Sequence, residues 1–380
     1  MDADVAIVGG GIIGCALAAF LAEDGARVRL YEREEIAAGA SGRNSGLLQH
    51  PMDDALTEVF AASEALYAEL GHGFELPPEV VGVLVVGEDA ASLEPIRAEI
   101  AGQFPELAAE AVDTPHELDP ALADDLAAFR LDTGRPVPPA AATRAFAARA
   151  REAGAEIREG VAATPVLRGG EPVESGGPTA EGGPGLTPQA DRAVGVRTPH
   201  GEEAAGAVVV AAGPWSAALV DPSGAWRPVV PSWGVNVELR LSHPPRHSIE
   251  EAGIESLKTS GGVTRPLFSI VTREGVSALG STFLPEQPDP AELAPALLER
   301  GTRFIPQLAG THAASVRACA RPASPDGRPL LGPLATPGLF LATGHGPWGV
   351  SLGPGSARLV ADAVLGKPAN IPPELAATRV

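Results

Sequence analysis

Near the start of the chain an apolar run, three spaced glycines and an alanine-rich stretch follow one another without a break. Val5-Ala6-Ile7-Val8 leads into Gly9, Gly11 and Gly14 at GxGxxG spacing, and Ile12 to Leu21 continues from there. A short run buried on both faces makes a strand, the glycines make a tight turn, and the alanine-rich stretch makes a helix. Each glycine has a mechanical reason: Gly9 turns the chain, Gly11 lets a pyrophosphate approach the backbone, and Gly14 lets the helix pack close to the strand. After Gly25, the residues Arg27 to Tyr31 alternate like a second strand and end at Glu32, where an acid would bind a ribose hydroxyl. This pattern predicts a dinucleotide-binding unit. An ordinary glycine-rich turn between strand and helix is the alternative, and the acid at the right distance argues against it.

At 380 residues the chain suggests two domains, or one domain carrying a large insertion. Its net charge of -20 argues against nucleic acid or an anionic membrane as the main partner, since both would be repelled. Only Lys258 and Lys367 are lysines among 28 basic residues, which disfavours a catalytic lysine and leaves arginine to grip carboxylates. Two cysteines, Cys15 and Cys319, make neither a disulfide framework nor a thiolate metal site, so no metal is expected. The first strand starts at Val5, leaving no room for a signal peptide, and no apolar run reaches membrane-spanning length. The expectation is a cytoplasmic protein without membrane insertion.

Further along, Gly39 to Gly46 reads as a loop of small residues able to follow an extended ligand, and the return to Leu47-Leu48 takes it back into the interior. Helices are expected over Asp53 to Leu70, Ala90 to Gln103, Ala141 to Ala153, Asp289 to Phe304 and Gly353 to Leu365. Strands are expected over Glu79 to Gly87, Glu156 to Val161 and Ala207 to Ser216, the last ending in small residues, with a group from Val235 to Ser281 that reads as an antiparallel sheet. Asp132 to Pro139 reads as a proline-stiffened crossing between domains, and Gly169 to Gln189 as an exposed hairpin excursion with no catalytic role.

Four separated motifs, Gly9 to Glu32, Ser41 to Gly46, Val208 to Trp215 and Arg321 to Gly349, together resemble the FAD-dependent amine and D-amino-acid oxidase family, the group of glycine oxidase, sarcosine oxidase and D-amino-acid dehydrogenase. The resemblance implies an α/β fold with a Rossmann-like FAD-binding domain over 1–76, 140–227 and 317–380. It implies a second α+β substrate domain, over 77–139 and 228–316, built on an antiparallel sheet. Gly9, Gly11, Gly14 and Glu32 would bind the ADP half of FAD, and Arg33 with Ser41, Arg43, Asn44 and Ser45 would line the pyrophosphate and reach toward the flavin. Val161 would touch adenine through its backbone, and Ala212 and Gly213 would run beside the nucleotide. Gly346, Trp348, Gly349 and Val350 would present backbone N–H groups near the flavin pyrimidine end.

In the family's Arg-Pro-x-x-Pro-Asp-Gly pattern, here Arg321 to Gly327, the arginine would fork onto a substrate carboxylate; pairing with an acid at a domain interface is the other reading. His50 and His345, like Trp348, would project near the flavin, as bases or as hydrogen-bonded walls. Cys319 stands where a relative tethers its flavin, although its flanking residues differ and a buried unreactive cysteine is the alternative. Trp233 and Asn236 would line the pocket or pack in the core. The implied reaction is oxidation of the C–N bond of a small amino or imino acid by hydride transfer to flavin N5, giving an imine that hydrolyses to a keto acid. Oxygen or another acceptor would take the electrons. The competing readings are oxidation of a 2-hydroxy acid and a flavin-binding subunit of a larger dehydrogenase complex, and a homo-oligomer is compatible with either.

Overall fold

Ala3–Val8 is flanked by two parallel neighbours, Val28–Tyr31 on one side and Gly201–Val210 on the other. In this computed structural model, which describes residues 2–178, 184–253 and 266–380 (backbone course alone for 170–178 and 184–190), these strands form the centre of a sheet. Its order is Leu330–Pro333, Leu339–Thr343, Gly201–Val210, Ala3–Val8, Val28–Tyr31, Glu156–Arg158. Only Leu330–Pro333 runs antiparallel to its neighbour along that path. Ile7, Leu30 and Val209 are fully buried, as strands covered on both faces require.

The helix Ile12–Glu23 packs between Ala141–Glu152 and Gly349–Val364, and Asp54–Ala68 lies against the last of these. It is alanine-rich because its neighbours come close on both sides, and it buries ten residues from Ile12 to Ala22. Phe20 meets Phe146 edge-on at 5.7 Å. Asp53 caps Asp54–Ala68 by accepting from Ala55 N, and Arg328 grips the same carboxylate at 2.8 and 3.1 Å. Thr164–Pro178 and Pro184–Thr198 pair as antiparallel strands, the second of them also pairing with Gly201–Val210, and residues 179–183 of the expected excursion lie outside the described residues.

A second sheet has the order Ser315–Ala323, Val230–Leu239, Val276–Gly280, Ser269–Arg273, Ser248–Glu251, Val83–Gly87, Ala127–Leu131, Glu110–Val112. It is antiparallel except where Ser248–Glu251 runs beside Val83–Gly87. Pro290–Thr302 covers one face, with Leu297, Phe304 and Phe268 in a common core and the two phenylalanine rings stacked at 4.5 Å. The Asp132 to Pro139 segment leaves this sheet, pairs Arg135–Pro136 with Leu47–Leu48, and enters Ala141–Glu152.

Four expectations are corrected. The boundary placed at 317 falls inside Ser315–Ala323, which joins the second sheet because it pairs along its whole length with Val230–Leu239. The strand expected from Glu79 starts only at Val83, after the left-handed turn at Gly82. Ala40–Arg43 is one turn of helix inside the expected loop. The last long helix begins at Gly349, one turn before Gly353.

Candidate functional site

A cavity of about 840 Å³ opens between the carboxyl ends of the first sheet and the strand Ser315–Ala323, near the upper end of the roughly 300–1,000 Å³ of small-molecule sites. The glycine turn forms one wall. Gly9 has φ +118°, and a side chain there would run into the carbonyl of Ala211. A side chain at Gly14 would collide with the carbonyl of Gly9, so helix and strand approach through bare backbone. The N-terminus of Ile12–Glu23, with no acid in its first turn, opens onto this wall, and Ile12 N donates to Ser41 Oγ at 2.9 Å. Such an end attracts an anion.

Glu32 ends the second strand, and its carboxylate accepts from Gly10 N at 2.6 Å and Glu34 N at 2.9 Å. Two backbone N–H groups thus orient the acid on the cavity lining while leaving it lone pairs for a hydroxyl. Arg33 lies 4.0 Å above the ring of Trp215, and both face the cavity. Asn44 Nδ2 donates to Ala40 O and Ser41 O, each at 2.9 Å, closing the short helix that carries Ser41 and Arg43.

The second sheet grips that loop by its carbonyls. Arg43 O accepts from Asn236 Nδ2 and Arg317 Nε, both at 3.1 Å, Asn44 O from Arg317 Nη2 at 3.0 Å, and Ser45 O from Arg273 Nη1 at 3.1 Å. Glu238 pairs with both arginines. Burial raises the Glu238 pKa, but hydrogen bonds from Arg317 and Ser315 outweigh it and hold the carboxyl below the usual range.

At the other end of the cavity, Arg317, Cys319 and Arg321 alternate along one strand, with Trp233 on its neighbour. Arg321 Nη1 donates to Thr282 O at 2.8 Å and Nη2 to Ser281 Oγ at 2.7 Å, and its Cζ lies 4.7 Å from the Phe283 ring. Among the described residues no acid pairs with it. Burial pulls its pKa below the ordinary guanidinium value. Cys319 is a free buried thiol whose pKa burial pushes up.

His345 also faces the cavity; it is fully buried, and neither ring nitrogen has a hydrogen-bond partner. Burial lowers its pKa to about 3, so the ring is neutral at ordinary pH.

Of the other site residues expected from sequence, Gly9, Gly11, Arg43 and Asn44 line the cavity, as do Ala212, Gly213, Gly346, Gly349 and Val350. Gly14, Ser45, Val161 and Trp348 do not. The Val161 N–H is taken by Glu32 O at 2.8 Å. His50 is not brought here either. Gln49 N bonds Ser351 Oγ beside the cavity, and one residue on, His50 N bonds Thr133 Oγ1 on the other side. The His50 ring sits in a separate cavity of about 480 Å³ with Phe60, Glu64 and Glu106, and its Nδ1 accepts from Met52 N at 3.1 Å. Sequence reasoning missed Arg317, Ser281 and Thr282, and took Trp215 only as the end of a motif. Only Arg317 carried a signal, two alternate positions before Arg321 on a strand.

The sequence profile described as "FAD dependent oxidoreductase" matches residues 4–363. The chain belongs to the FAD dependent oxidoreductase family. The donor set fits that cofactor: a helix N-terminus and glycine turn for the pyrophosphate, an oriented acid for ribose, and a long cavity running from them to Arg321. Among similar proteins, the "Bifunctional protein ThiO/ThiG" of a Nostoc species is 28% identical over 385 residues, 96% of this chain and 53% of that protein. The glycine oxidase of Pseudomonas aeruginosa is 33% identical over 189 residues, 48% of each chain. The chain thus spans about half the length of the curated relatives it matches. The solved glycine oxidase from Geobacillus kaustophilus superposes with a TM-score of 0.79 at 26% identity, covering 100% of this chain and 99% of that one. No helix among the described residues is long and apolar enough to cross a membrane.

Proposed function

We propose that this chain oxidises the C–N bond of a small amino or imino acid, with Arg321 holding the substrate carboxylate. The observation that carries the reading is a cavity-facing guanidinium that is oriented by uncharged acceptors and left without an acid among the described residues. A buried cation without a counter-charge is costly, and a bound carboxylate relieves that cost through a two-point charged hydrogen bond. Bound FAD would supply the hydride acceptor. The chain's own residues then have to orient the substrate and exclude water.

The acids lining the cavity, Glu32 and Glu34, lie at its glycine-turn end, so the described residues near Arg321 offer no carboxylate to hold an ammonium. This fits a substrate that reacts as the neutral amine and is anchored by its carboxylate alone. His345, neutral down to about pH 3, serves as a hydrogen-bonding wall rather than a base. His50 faces another cavity. Oxidation of a 2-hydroxy acid needs a base for the hydroxyl proton, and these two placements count against it. Release of the imine lets water convert it to a keto acid, and electrons pass to oxygen or another acceptor. A cytoplasmic setting suits the reaction.

Arg321→Ala is expected to raise KM about a hundredfold or more, the scale of about 3 kcal/mol for a lost charged pair, while FAD content stays unchanged. An unchanged KM would remove Arg321 from the carboxylate role.

A further inference from the structure

Arg321 is aimed by its surroundings, and its surroundings contain a glycine that the backbone does not explain. Gly234 sits mid-strand in Val230–Leu239 and is not among the residues with positive φ. Nothing in its conformation calls for glycine. A Cβ built there would instead meet three atoms of one group, Nη2, Nη1 and Cζ of Arg321. Around the same guanidinium, Thr282 O and Ser281 Oγ accept one N–H from each terminal nitrogen, and the Phe283 ring lies 4.7 Å from Cζ.

We infer that Gly234, Ser281 and Thr282 form a cradle that positions the Arg321 guanidinium for a carboxylate, and that residue 234 is glycine because the guanidinium lies flat against it. This rests on the carboxylate reading of Arg321. The cradle is itself braced. Thr282 Oγ1 accepts from Val235 N at 3.0 Å and donates to Trp233 O at 3.2 Å, and Trp233 and Leu284 exchange two backbone hydrogen bonds at 2.7 and 2.9 Å. The residues on either side of Gly234 are therefore tied to the segment that holds Arg321. All the acceptors are uncharged, so the cation is oriented without being neutralised. An acid in their place would orient it equally well and compete with the incoming carboxylate.

Gly234, Ser281 and Thr282 act through Arg321 and are positioning residues. The three nearest atoms a methyl at 234 would meet all belong to the far end of a flexible side chain, so Gly234→Ala is expected to displace the guanidinium rather than the strand. Ser281→Ala removes one hydroxyl and adds no bulk, which keeps the test sound should the first variant fold poorly.

The test uses the FAD-loaded protein and propionate as a bare carboxylate probe, titrated against tryptophan fluorescence and flavin absorbance, in wild type, Gly234→Ala, Ser281→Ala and Arg321→Met. Expected are a propionate Kd weakened about tenfold or more in Gly234→Ala and about threefold to tenfold in Ser281→Ala, with the FAD Kd unchanged. With whichever of glycine, sarcosine or D-alanine is turned over, KM rises more than kcat falls. If Arg321→Met loses propionate while both cradle variants bind it as wild type does, the cradle is wrong and the Arg321 reading stands. Equal loss of FAD and propionate in the cradle variants would also overturn it, since that is a folding role. If Arg321→Met itself binds propionate normally, the carboxylate reading falls and takes the cradle with it.

Discussion

The Ser41 hydroxyl accepts a hydrogen bond from the Ile12 backbone N–H at 2.9 Å, so a loop twenty-nine residues downstream caps the first helix. The helix has no side-chain cap from its own N-cap residue, Gly11, where an added Cβ would come within 3.1 Å of Ser41 Oγ. The cap comes instead from the loop that lines the same cavity. On the proposed FAD-binding role of this cavity, cofactor binding and helix capping would share one contact.

Ser41→Ala is expected to cost about 1 kcal/mol of stability, the usual cost of a lost cap, measured by urea unfolding of the apoprotein. The same change should weaken FAD binding about fivefold, read from quenching of flavin fluorescence on titration. Unaltered FAD affinity would show that the loop does not position the glycine turn.

Arg317 holds the carbonyls of Arg43 and Asn44 while pairing with Glu238. Arg317→Met should weaken FAD binding about tenfold, since charged hydrogen bonds contribute roughly 1.5–3 kcal/mol and the loop they hold lines the cofactor cavity. Arg317→Lys, which keeps the charge but loses the fork, should recover only part of the loss. Full recovery by lysine would mean that charge near the cavity, not the grip on the loop, is what matters.

His345 gives a pH signature with a definite sign. Its folded pKa is depressed from 6.5 to about 3 by burial. Between those values the unfolded chain binds the proton and the folded chain does not, so stability is fully present above pH 6.5 and falls as pH drops toward 3. The contribution is on the order of a few kcal/mol, with a slope approaching 1.4 kcal/mol per pH unit. His345→Gln should flatten the stability curve between pH 6 and 4 relative to wild type. Parallel curves for the two proteins would contradict a buried neutral histidine.

The glycine-turn end of the cavity was readable because its signals are local: strand, glycine turn and helix are consecutive, and Glu32 follows at the end of the next strand. The antiparallel second sheet was likewise carried by short strand patterns separated by turn signals, while the α/β class came with the family resemblance. The assignment of Ser315–Ala323 was not, because a stretch with two arginines and a proline joins the second sheet only through Val230–Leu239, some eighty residues earlier. His50 was misplaced for a similar reason. Its direction is set by the pairing of Leu47–Leu48 with Arg135–Pro136, which no local pattern announces. Gly234 carried no signal at all, since its reason is a guanidinium on a neighbouring strand.

The measurement that tests the central claim most directly is the visible spectrum of the FAD-loaded protein under anaerobic conditions, before and after adding glycine, sarcosine, D-alanine, D-proline and D-lactate one at a time. Bleaching of the flavin bands by an amino or imino acid, lost in Arg321→Met at the same substrate concentration, is the predicted result. Bleaching by D-lactate alone, or by an amino acid equally well in Arg321→Met, would contradict C–N oxidation anchored at Arg321.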